Sequence, residues 1–306
     1  MNDIIHTPVM LNEVLQQANI KDNDVVVDCT FGAGGYSKAF LNHAKCTVYA
    51  IDRDPQAIER SEKLQDSHKE NFEILEGCFG NIKQLLLEQE IDKVDVIVLD
   101  LGVSSPQINQ AERGFSFKKD GPLDMRMSNS GISAKDIVNK YSHGEIAHII
   151  KNYGEEKMAG KIASRILKFR EKKQIETTKE LADIVRNVVF SKNSKIDPAT
   201  RTFQGLRIAV NDELGEIERC LKDTLELLNS EGRLVVVSFH SLEDRIIKNF
   251  IKKHSQQESI NRHLPINNEK KLSLKVGNKK FIKCTEQECE TNPRSRSAKL
   301  RMATKI

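Results

Sequence analysis

The sequence predicts an α/β protein in which a doubly wound, mostly parallel sheet carries an inserted all-helical domain. A strand-like run at residues 25–27 leads through a glycine-rich loop to a second strand that ends at Asp52. Continuous apolar runs follow at residues 94–99 and 233–237, and such runs are typical of strands buried on both faces. Between these two runs, residues 134–189 show helical periodicity without a strand signal, which predicts the insertion.

The first strand, its loop and the second strand together indicate a nucleoside ligand. Asp28 ends the first strand, and Gly32, Gly34 and Gly35 follow it closely. Glycines let the backbone approach a ligand where a Cβ would collide, and the next helix presents unpaired N–H groups to it. Asp52 ends the second strand, where a carboxylate can accept both hydroxyls of a ribose.

Two classes of cofactor are consistent with a glycine-rich loop of this kind. A nicotinamide dinucleotide fingerprint asks for a third glycine at position 37, where this chain has Ser37. An acid directly before the loop, here Asp28, instead resembles the first motif of Rossmann-like methyltransferases, which bind S-adenosylmethionine. The loop therefore favours S-adenosylmethionine over a dinucleotide.

The remaining elements follow in chain order. Asp54 and Pro55 predict a helix start, because an N-cap acid followed by proline is typical of a first helical turn. Residues 72–75 read as a short strand, and further apolar segments lie near Phe281 and Leu300. Ligands of open α/β sheets bind at the carboxyl ends of the strands. The residues that fall there are Asp28, Asp52, Asp100 and His240.

Composition and charge bound the class of protein. The chain has 306 residues and a mass of 34.7 kDa, with 38% hydrophobic and 30% charged residues, which predicts a globular protein of about two domains. Residues 1–20 lack the uninterrupted apolar core of a secretory signal, so we expect a cytoplasmic location. The six cysteines form no C-x-x-C pair, and Cys284 and Cys289 with His263 would lack a fourth ligand, so free thiols and no metal site are expected.

The positive charge is concentrated in the insertion. Residues 108–200 hold 18 Lys and Arg against 12 Asp and Glu, whereas the whole chain has a net charge of only +4. Basic side chains recur there every three or four residues, which places them on one helix face: Lys157, Lys161, Arg165, Lys168 and Lys172. The stripe is either a solvated face or an RNA contact. We predict a cofactor domain from residues 1–107 and 201–306, and a substrate-recognition domain from residues 108–200.

Several longer blocks carry a family resemblance over nearly the whole chain. They are HTPVM at 6–10, DLGVSSPQ at 100–107, ERGFSF at 112–117, GPLDMRM at 121–127, PATRTFQ at 198–204, SFHSLEDR at 238–245 and NPRSRS at 292–297. In this order they resemble the bacterial 16S ribosomal RNA cytosine-N4 methyltransferase family. The resemblance implies methyl transfer from S-adenosylmethionine to the exocyclic N4 of a cytidine in the decoding region. The implied partner is 16S rRNA within the small ribosomal subunit.

The resemblance also implies cofactor contacts at particular positions. With Gly32 of the loop, they fall on Gly34, Gly35, Tyr36, Asp52, Phe79, Asp100 and Gln107. The chain departs from the family at Tyr36, where histidine is common, so only backbone contacts carry over there.

The chemistry of an N4 amine requires a proton acceptor near the methyl group, because the amine shares its lone pair with the ring. Asp100 is the first candidate and Ser104 a weaker one. The Pro-Pro-aromatic sequence that DNA amino-methyltransferases place after their acid is absent here. This absence argues against an adenine-N6 or DNA substrate. His240 is either a base or a hydrogen-bonded structural histidine.

The RNA-contacting residues are predicted by charge and aromaticity. A cytosine that enters such a pocket must leave its stack, and an aromatic side chain normally receives it. The candidates are Phe115, Phe117, Phe203 and Phe239, each of which is either a stacking platform or packed core. Phe115 and Phe117 sit in a glycine-flanked loop beside the predicted cleft. Phosphates could be held by Arg113, Arg126, Lys161, Arg165 and Arg201. Arginine pairing with Asp124 or Glu112 is the alternative. A non-catalytic RNA-binding or ribosome-assembly protein is the rival function, and the intact glycines and acids argue against it.

Overall fold

The computed structural model describes residues 8–189, 196–257, 271–277 and 281–306. His6, Thr7 and His263 lie outside the described residues, as does most of the polar segment at 256–278. The described residues contain eight strands: β1 (Val25–Asp28), β2 (Thr47–Asp52), β3 (Phe72–Glu76), β4 (Val94–Asp100), β5 (Leu228–Ser238), β6 (Leu274–Lys275), β7 (Ile282–Lys283) and β8 (Lys299–Lys305).

All eight strands belong to one sheet. The order is β3-β2-β1-β4-β5-β8-β6, and β7 pairs with β8 as well. Strands β1 to β5 are mutually parallel, whereas β8 runs antiparallel to β5, β6 and β7. The predicted doubly wound, mostly parallel sheet is thereby confirmed. The parallel register sets Asp100 beside Val237, so the ends of β4 and β5 are neighbours.

Thirteen helices are found in the described chain. They are α1 (Leu11–Ala18), α2 (Gly35–His43), α3 (Pro55–Ser67), α4 (Ile82–Leu87), α5 (Ser105–Asn109), α6 (Ala134–Lys140), α7 (His143–Asn152), α8 (Ala159–Arg170), α9 (Thr178–Arg186), α10 (Ala199–Asn211), α11 (Glu213–Leu227), α12 (Ser241–Ser255) and α13 (Glu286–Thr291). As predicted, Asp54 caps α3, and its side chain accepts the N–H of Gln56 at 3.0 Å. Among the described residues, no helix has the length and apolarity of a membrane span.

The chain divides into two compact units. The sheet unit comprises Met1–Gly102 and Leu214–Ile306, and the helical unit comprises Val103–Glu213. The helical unit extends beyond residues 108–200 because α10 packs into its core through Phe203 and Leu206.

Alternation along the strands gives the sheet two apolar faces. On β1, Val27 faces one buried cluster and Val26 the other. Helices α4, α11 and α12 contribute to the first cluster, and α1, α2 and α3 contribute to the second. Because the parallel strands are covered on both faces, their sequences read as continuous apolar runs. Asp28, Asp52 and Asp100 end β1, β2 and β4. Ligands of such sheets bind at the carboxyl ends of the strands, so the candidate site lies there.

Candidate cofactor and RNA site

The glycine-rich loop follows β1 and is held from two directions. The N–H of Gly32 donates to Oδ2 of Asp52 at 2.8 Å, and the carbonyl of Gly32 accepts from Nε and Nη2 of Arg60 at 3.3 and 3.2 Å. Both polar groups of this residue are therefore fixed by side chains of the sheet unit. Arg60 carried no signal in the sequence, because nothing about a helix residue eight positions after Asp52 indicates that it reaches a loop.

Two glycines at the start of α2 tolerate no side chain. Gly34 has a φ of +76°, and a Cβ there would lie 2.8 Å from Cζ of Phe31. A Cβ on Gly35 would lie 2.3 Å from Cγ of Pro8. Gly34 is itself buried, so both glycines are required by packing against Phe31 and Pro8. The backbone N–H groups at the start of α2 are the groups that could face a ligand.

The side chain of Tyr36 makes its contacts within the protein. Its side chain is 4% exposed, its ring stacks on Phe40, and its hydroxyl donates to the carbonyl of Val9. Burial, with the charges of Asp100 and Asp28, raises the pKa of Tyr36 well above its ordinary value. The tyrosine therefore ties the segment before α1 to the helix that begins at the loop.

The carboxylates that end β1 and β2 already accept hydrogen bonds within the protein. Asp28 is fully buried and accepts the N–H of Thr30 at 3.1 Å and the hydroxyl of Ser37 at 2.7 Å. Burial raises the pKa of Asp28 to about 6, although both hydrogen bonds act in the opposite direction. Ser37 thus occupies the position of the third glycine of a dinucleotide fingerprint, and its hydroxyl donates a hydrogen bond to Asp28.

Asp52 is half-buried. Besides Gly32, it accepts the N–H of Asp54 through Oδ1 at 2.9 Å. Burial also raises the pKa of Asp52, while these backbone hydrogen bonds lower it. The backbone N–H of Arg53 also lowers the pKa of Asp52, and because a carboxylate offers about four acceptor positions, it can still accept from a ligand hydroxyl.

Asp100 differs from these two acids. Its backbone N–H donates to Oγ1 of Thr30 at 2.7 Å, but its buried Oδ1 has no hydrogen-bond partner among the described residues. Burial, followed by the charges of Asp28 and Glu243, raises the pKa of Asp100 well above its ordinary value. An unpartnered buried carboxylate oxygen is costly, so this atom is available to a bound cation or amine.

The residues that follow β5 lie beside Asp100 and are structurally engaged. His240 caps α12, with Nδ1 accepting the N–H of Glu243 at 3.5 Å and the His240 N–H donating to Glu243 Oε2 at 3.2 Å. Glu243 is 0% exposed and also accepts the N–H of Phe239 at 2.8 Å. His240 therefore caps α12 through Nδ1, and its Nε2 lies 3.0 Å from Oε1 of Glu243. A role for His240 as a base stays a prediction.

Phe79 lies in the same unit, at the start of a 3₁₀ turn that follows β3. It is half-buried and packs against the first apolar cluster of the sheet. Part of its surface remains open at the end of the strand.

In the helical unit, Ser104 and Gln107 cap each other. Ser104 Oγ accepts the N–H of Gln107 at 3.5 Å, and Gln107 Oε1 accepts the N–H of Ser104 at 3.0 Å, which is a capping box at the start of α5. The hydroxyl of Ser104 thus caps the helix that follows β4.

The two arginines of the segment at 113–127 bond within that segment. Arg113 donates to the carbonyls of Arg126 and Met127 at 3.1 and 3.0 Å. Arg126 forms a bidentate pair with Asp124, with both distances 2.8 Å. The predicted alternative, pairing with Asp124, is the observed arrangement. The guanidinium of Arg113 also lies 5.8 Å from the ring centroid of the half-buried Phe115.

Three other predicted cations are open to solvent. Lys161 and Arg165 are exposed on α8, and neither has a hydrogen bond or ion pair with the described part of the chain. The side chain of Arg201 is 57% exposed, and its Nη1 lies 3.8 Å from Oε2 of Glu156, beyond hydrogen-bond distance. Lys157 precedes α8 and Lys172 follows it, so the helical part of the stripe comprises Lys161, Arg165 and Lys168.

The sequence of this chain is similar to those of known methyltransferases. The sequence profile of the MraW methylase family matches residues 3–306. A ribosomal RNA small subunit methyltransferase H of Rickettsia massiliae is 48% identical over 304 residues, which cover 98% of each chain. The protein of the same name from Paramagnetospirillum magneticum is 49% identical over 303 residues, covering 98% of this chain and 95% of that one. The resemblance predicted from the sequence blocks is confirmed, and the chain belongs to the MraW methylase family.

Proposed function

We propose that this protein transfers the methyl group of S-adenosylmethionine to the exocyclic N4 of a cytidine in the decoding region of 16S rRNA. The observation that carries the proposal is Asp100, an acid with one unpartnered oxygen at the end of β4, in a member of this methylase family. The relatives' printed names, which refer to the small-subunit ribosomal RNA, support the choice of substrate.

The bound cofactor supplies an electrophilic methyl group on a sulfonium. Backbone groups of Gly32, Gly34, Gly35 and Tyr36 would surround it, and Asp52 would accept the ribose hydroxyls. Phe79 would lie against the adenine. Gln107 remains a contact proposed from the family resemblance alone. The unpartnered oxygen of Asp100 fits a ligand that carries a positive charge.

Asp100 is our candidate for the catalytic acceptor. Its ionised form is penalised by burial and by two neighbouring carboxylates. A positive charge nearby offsets that penalty, so the carboxylate becomes ionised when a cation is bound. An ionised Asp100 can then accept a proton from the amine as its lone pair is drawn toward the methyl carbon. Ser104 stays a weaker candidate, because its hydroxyl caps α5.

RNA contact is proposed for the exposed cations of the helical unit. Lys161 and Arg165 with Lys168 present positive charge on one face of α8, and Arg201 adds a loosely paired guanidinium. Phosphate contacts of this kind position RNA without reading its sequence. Arg113 and Arg126 would then act by holding the loop that carries Phe115. The assembled small subunit in the cytoplasm is the proposed setting.

A methylation assay tests the function directly. Small subunits and protein-free 16S rRNA from a strain that lacks this modification would be incubated with the protein and isotopically labelled S-adenosylmethionine. We expect one labelled cytidine in the decoding region, identified as N4-methylcytidine by mass spectrometry, with the small subunit the better substrate. Asp100→Asn is the matched variant and should abolish transfer. Label on an adenine, or on carbon 5 of a cytosine, would overturn the proposal.

A further inference from the structure

Two thiols lie in contact near the carboxyl end of the chain. Sγ of Cys284 and Sγ of Cys289 are 2.7 Å apart, and Cys284 Sγ donates to the carbonyl of Ser295 at 3.0 Å. Both cysteines are half-buried, so each can be reached from solvent. In contrast, Cys29 and Cys220 interact with each other inside the apolar core.

The contact between the thiols follows from the way α13 begins. Thr285 is the N-cap, and its Oγ1 accepts the N–H of Glu288 at 3.1 Å. Cys284 therefore precedes the cap and Cys289 is the fourth helical residue. Side chains at these two positions face each other across the first turn, where apolar residues ordinarily form a hydrophobic staple. Here the staple consists of two thiols, and the helix start itself holds them together.

We propose that Cys284 and Cys289 are a redox-modification site that closes reversibly to an intramolecular disulfide. The oxidant is a small organic disulfide. One protein thiolate attacks it and releases one small thiol, and the second protein thiolate then attacks the resulting mixed disulfide and releases the other. Two protein thiols are oxidised, the small disulfide is reduced to two thiols, and the two protons pass to the released thiolates.

The surroundings set the conditions for this reaction. Burial raises the pKa of Cys284, and the neighbouring thiol and the carboxylate of Glu288 act in the same direction. Because the thiolate is the attacking species, closure should be faster in mildly alkaline solution. Disulfides inside cells are usually transient or redox-sensing, and a pair on a surface helix start fits that pattern.

One tryptic peptide reports the outcome. Residues 284–294 lie between Lys283 and Arg294 and contain both thiols. The folded full-length protein would be treated with 2-hydroxyethyl disulfide, acidified, denatured, alkylated with iodoacetamide and digested. We expect this peptide to lose two hydrogen atoms in mass and to carry no alkyl group, and dithiothreitol should reverse both changes. Cys29 and Cys220 should be fully alkylated after the same treatment.

Single variants complete the test. Cys284→Ser and Cys289→Ser should each leave the other thiol as a mixed disulfide, which shows that the ring needs both sulfurs. The proposal fails if the wild-type peptide keeps a mixed disulfide or two alkylated cysteines under conditions that modify the half-buried Cys78. It also fails if the ring forms only after denaturation, because the folded helix start would then not bring the thiols together.

Discussion

The three acids that end β1, β2 and β4 have the same residue type and different hydrogen-bond environments. Asp28 accepts from backbone N–H groups and a hydroxyl, and Asp52 accepts from backbone N–H groups. Asp100 keeps one oxygen without a partner in the described chain. These differences suggest different tasks. Asp28 bonds to Thr30 and Ser37 on either side of the glycines, and Asp52 bonds to Gly32. We propose Asp52 as the acceptor of a ribose and Asp100 as the catalytic acceptor.

The ionisation of Asp28 should cost stability at neutral pH. Its pKa is raised from 3.8 to about 6, so the folded state favours the protonated acid. The stabilisation is present in acid and is lost as pH rises between these two values, at a cost of about 3 kcal/mol above them. Asp28→Asn should therefore increase the free energy of unfolding in urea by up to about 3 kcal/mol near pH 7.5.

The control is the free energy of unfolding of both proteins measured in acid. At about pH 4.5 the acid is protonated in the folded wild type and partly protonated in the unfolded chain, so most of the gain from asparagine should disappear. A gain of equal size at both pH values would mean that packing, not ionisation, distinguishes the two side chains.

Removal of the Asp52 carboxylate should weaken cofactor binding. Asp52→Ala deletes an acceptor for the ribose and also the partner of the Gly32 N–H. The loss should be on the order of 1 to 3 kcal/mol, or about 5- to 150-fold in Kd for S-adenosylmethionine. Isothermal titration calorimetry measures it, with Asp52→Asn as the variant that keeps one acceptor and loses less. An unchanged Kd for the alanine variant would remove Asp52 from the site.

At the scale of elements, α8 combines an apolar face and a basic face. Ile162 and Ile166 are buried, whereas Lys161 and Arg165 are exposed and lack partners among the described residues. Exposed, unpaired cations on one rigid helix can neutralise several phosphates without first breaking an ion pair.

Charge reversal on α8 should reduce RNA affinity and its salt dependence together. Lys161→Glu with Arg165→Glu removes two cations, so the slope of log K against log salt should become shallower by about 1 to 2. Filter binding at several salt concentrations measures the slope, and S-adenosylmethionine affinity should stay unchanged. Lys252→Glu with Lys253→Glu, an equal charge change on the exposed side of α12, is the control. Equal losses for both pairs would mean that only total charge matters.

Elements buried on both faces could be predicted from sequence, and contacts set by loop conformation could not. The sequence predicts β4 and β5 because their apolar runs are continuous, and β1 and β2 because they flank the glycine-rich loop. It predicts the Asp54 cap because capping is local. The pairing of Arg126 with Asp124 depends on Met125, whose φ is +65°. No sequence pattern indicates that conformation, so phosphate binding and internal pairing remained equal alternatives.

The sequence also does not predict the bounds of α8 or the hydrogen bonds from Arg60 to Gly32. Periodicity continued the basic stripe to Lys157 and Lys172, but the helix spans only Ala159–Arg170. Glu155 has a φ of 51°, which is not a helical conformation, and it lies shortly before α8 begins. Arg60 reaches Gly32 through tertiary packing of α3 on the sheet, which a single sequence does not record.

At the scale of the molecule, each unit has its own apolar core. Two clusters cover the faces of the sheet, and a third, made of helices α6 to α10, belongs to Val103–Glu213. Separate cores predict that each unit can be stable without the other.

Replacing Val103–Glu213 by a flexible linker should separate cofactor binding from RNA methylation. The sheet unit retains the glycine loop, Asp52 and Asp100, so it should unfold cooperatively and still bind S-adenosylmethionine. Its affinity should fall by no more than about tenfold from the loss of Gln107, as one hydrogen bond would cost. Transfer to rRNA should be lost. Circular dichroism, calorimetry and the methylation assay test these points in turn, and methylation by the linked sheet would contradict a substrate-recognition role.

The adjacency of β4 and β5 has a consequence for synthesis on the ribosome. These strands pair side by side, yet the whole helical unit and α11 separate them along the chain. While that stretch is being translated, β4 has emerged with its apolar residues and one unpaired edge. Such an edge invites association with other nascent chains. Cells that make this protein quickly should therefore depend on chaperones that shield β4 until β5 is available.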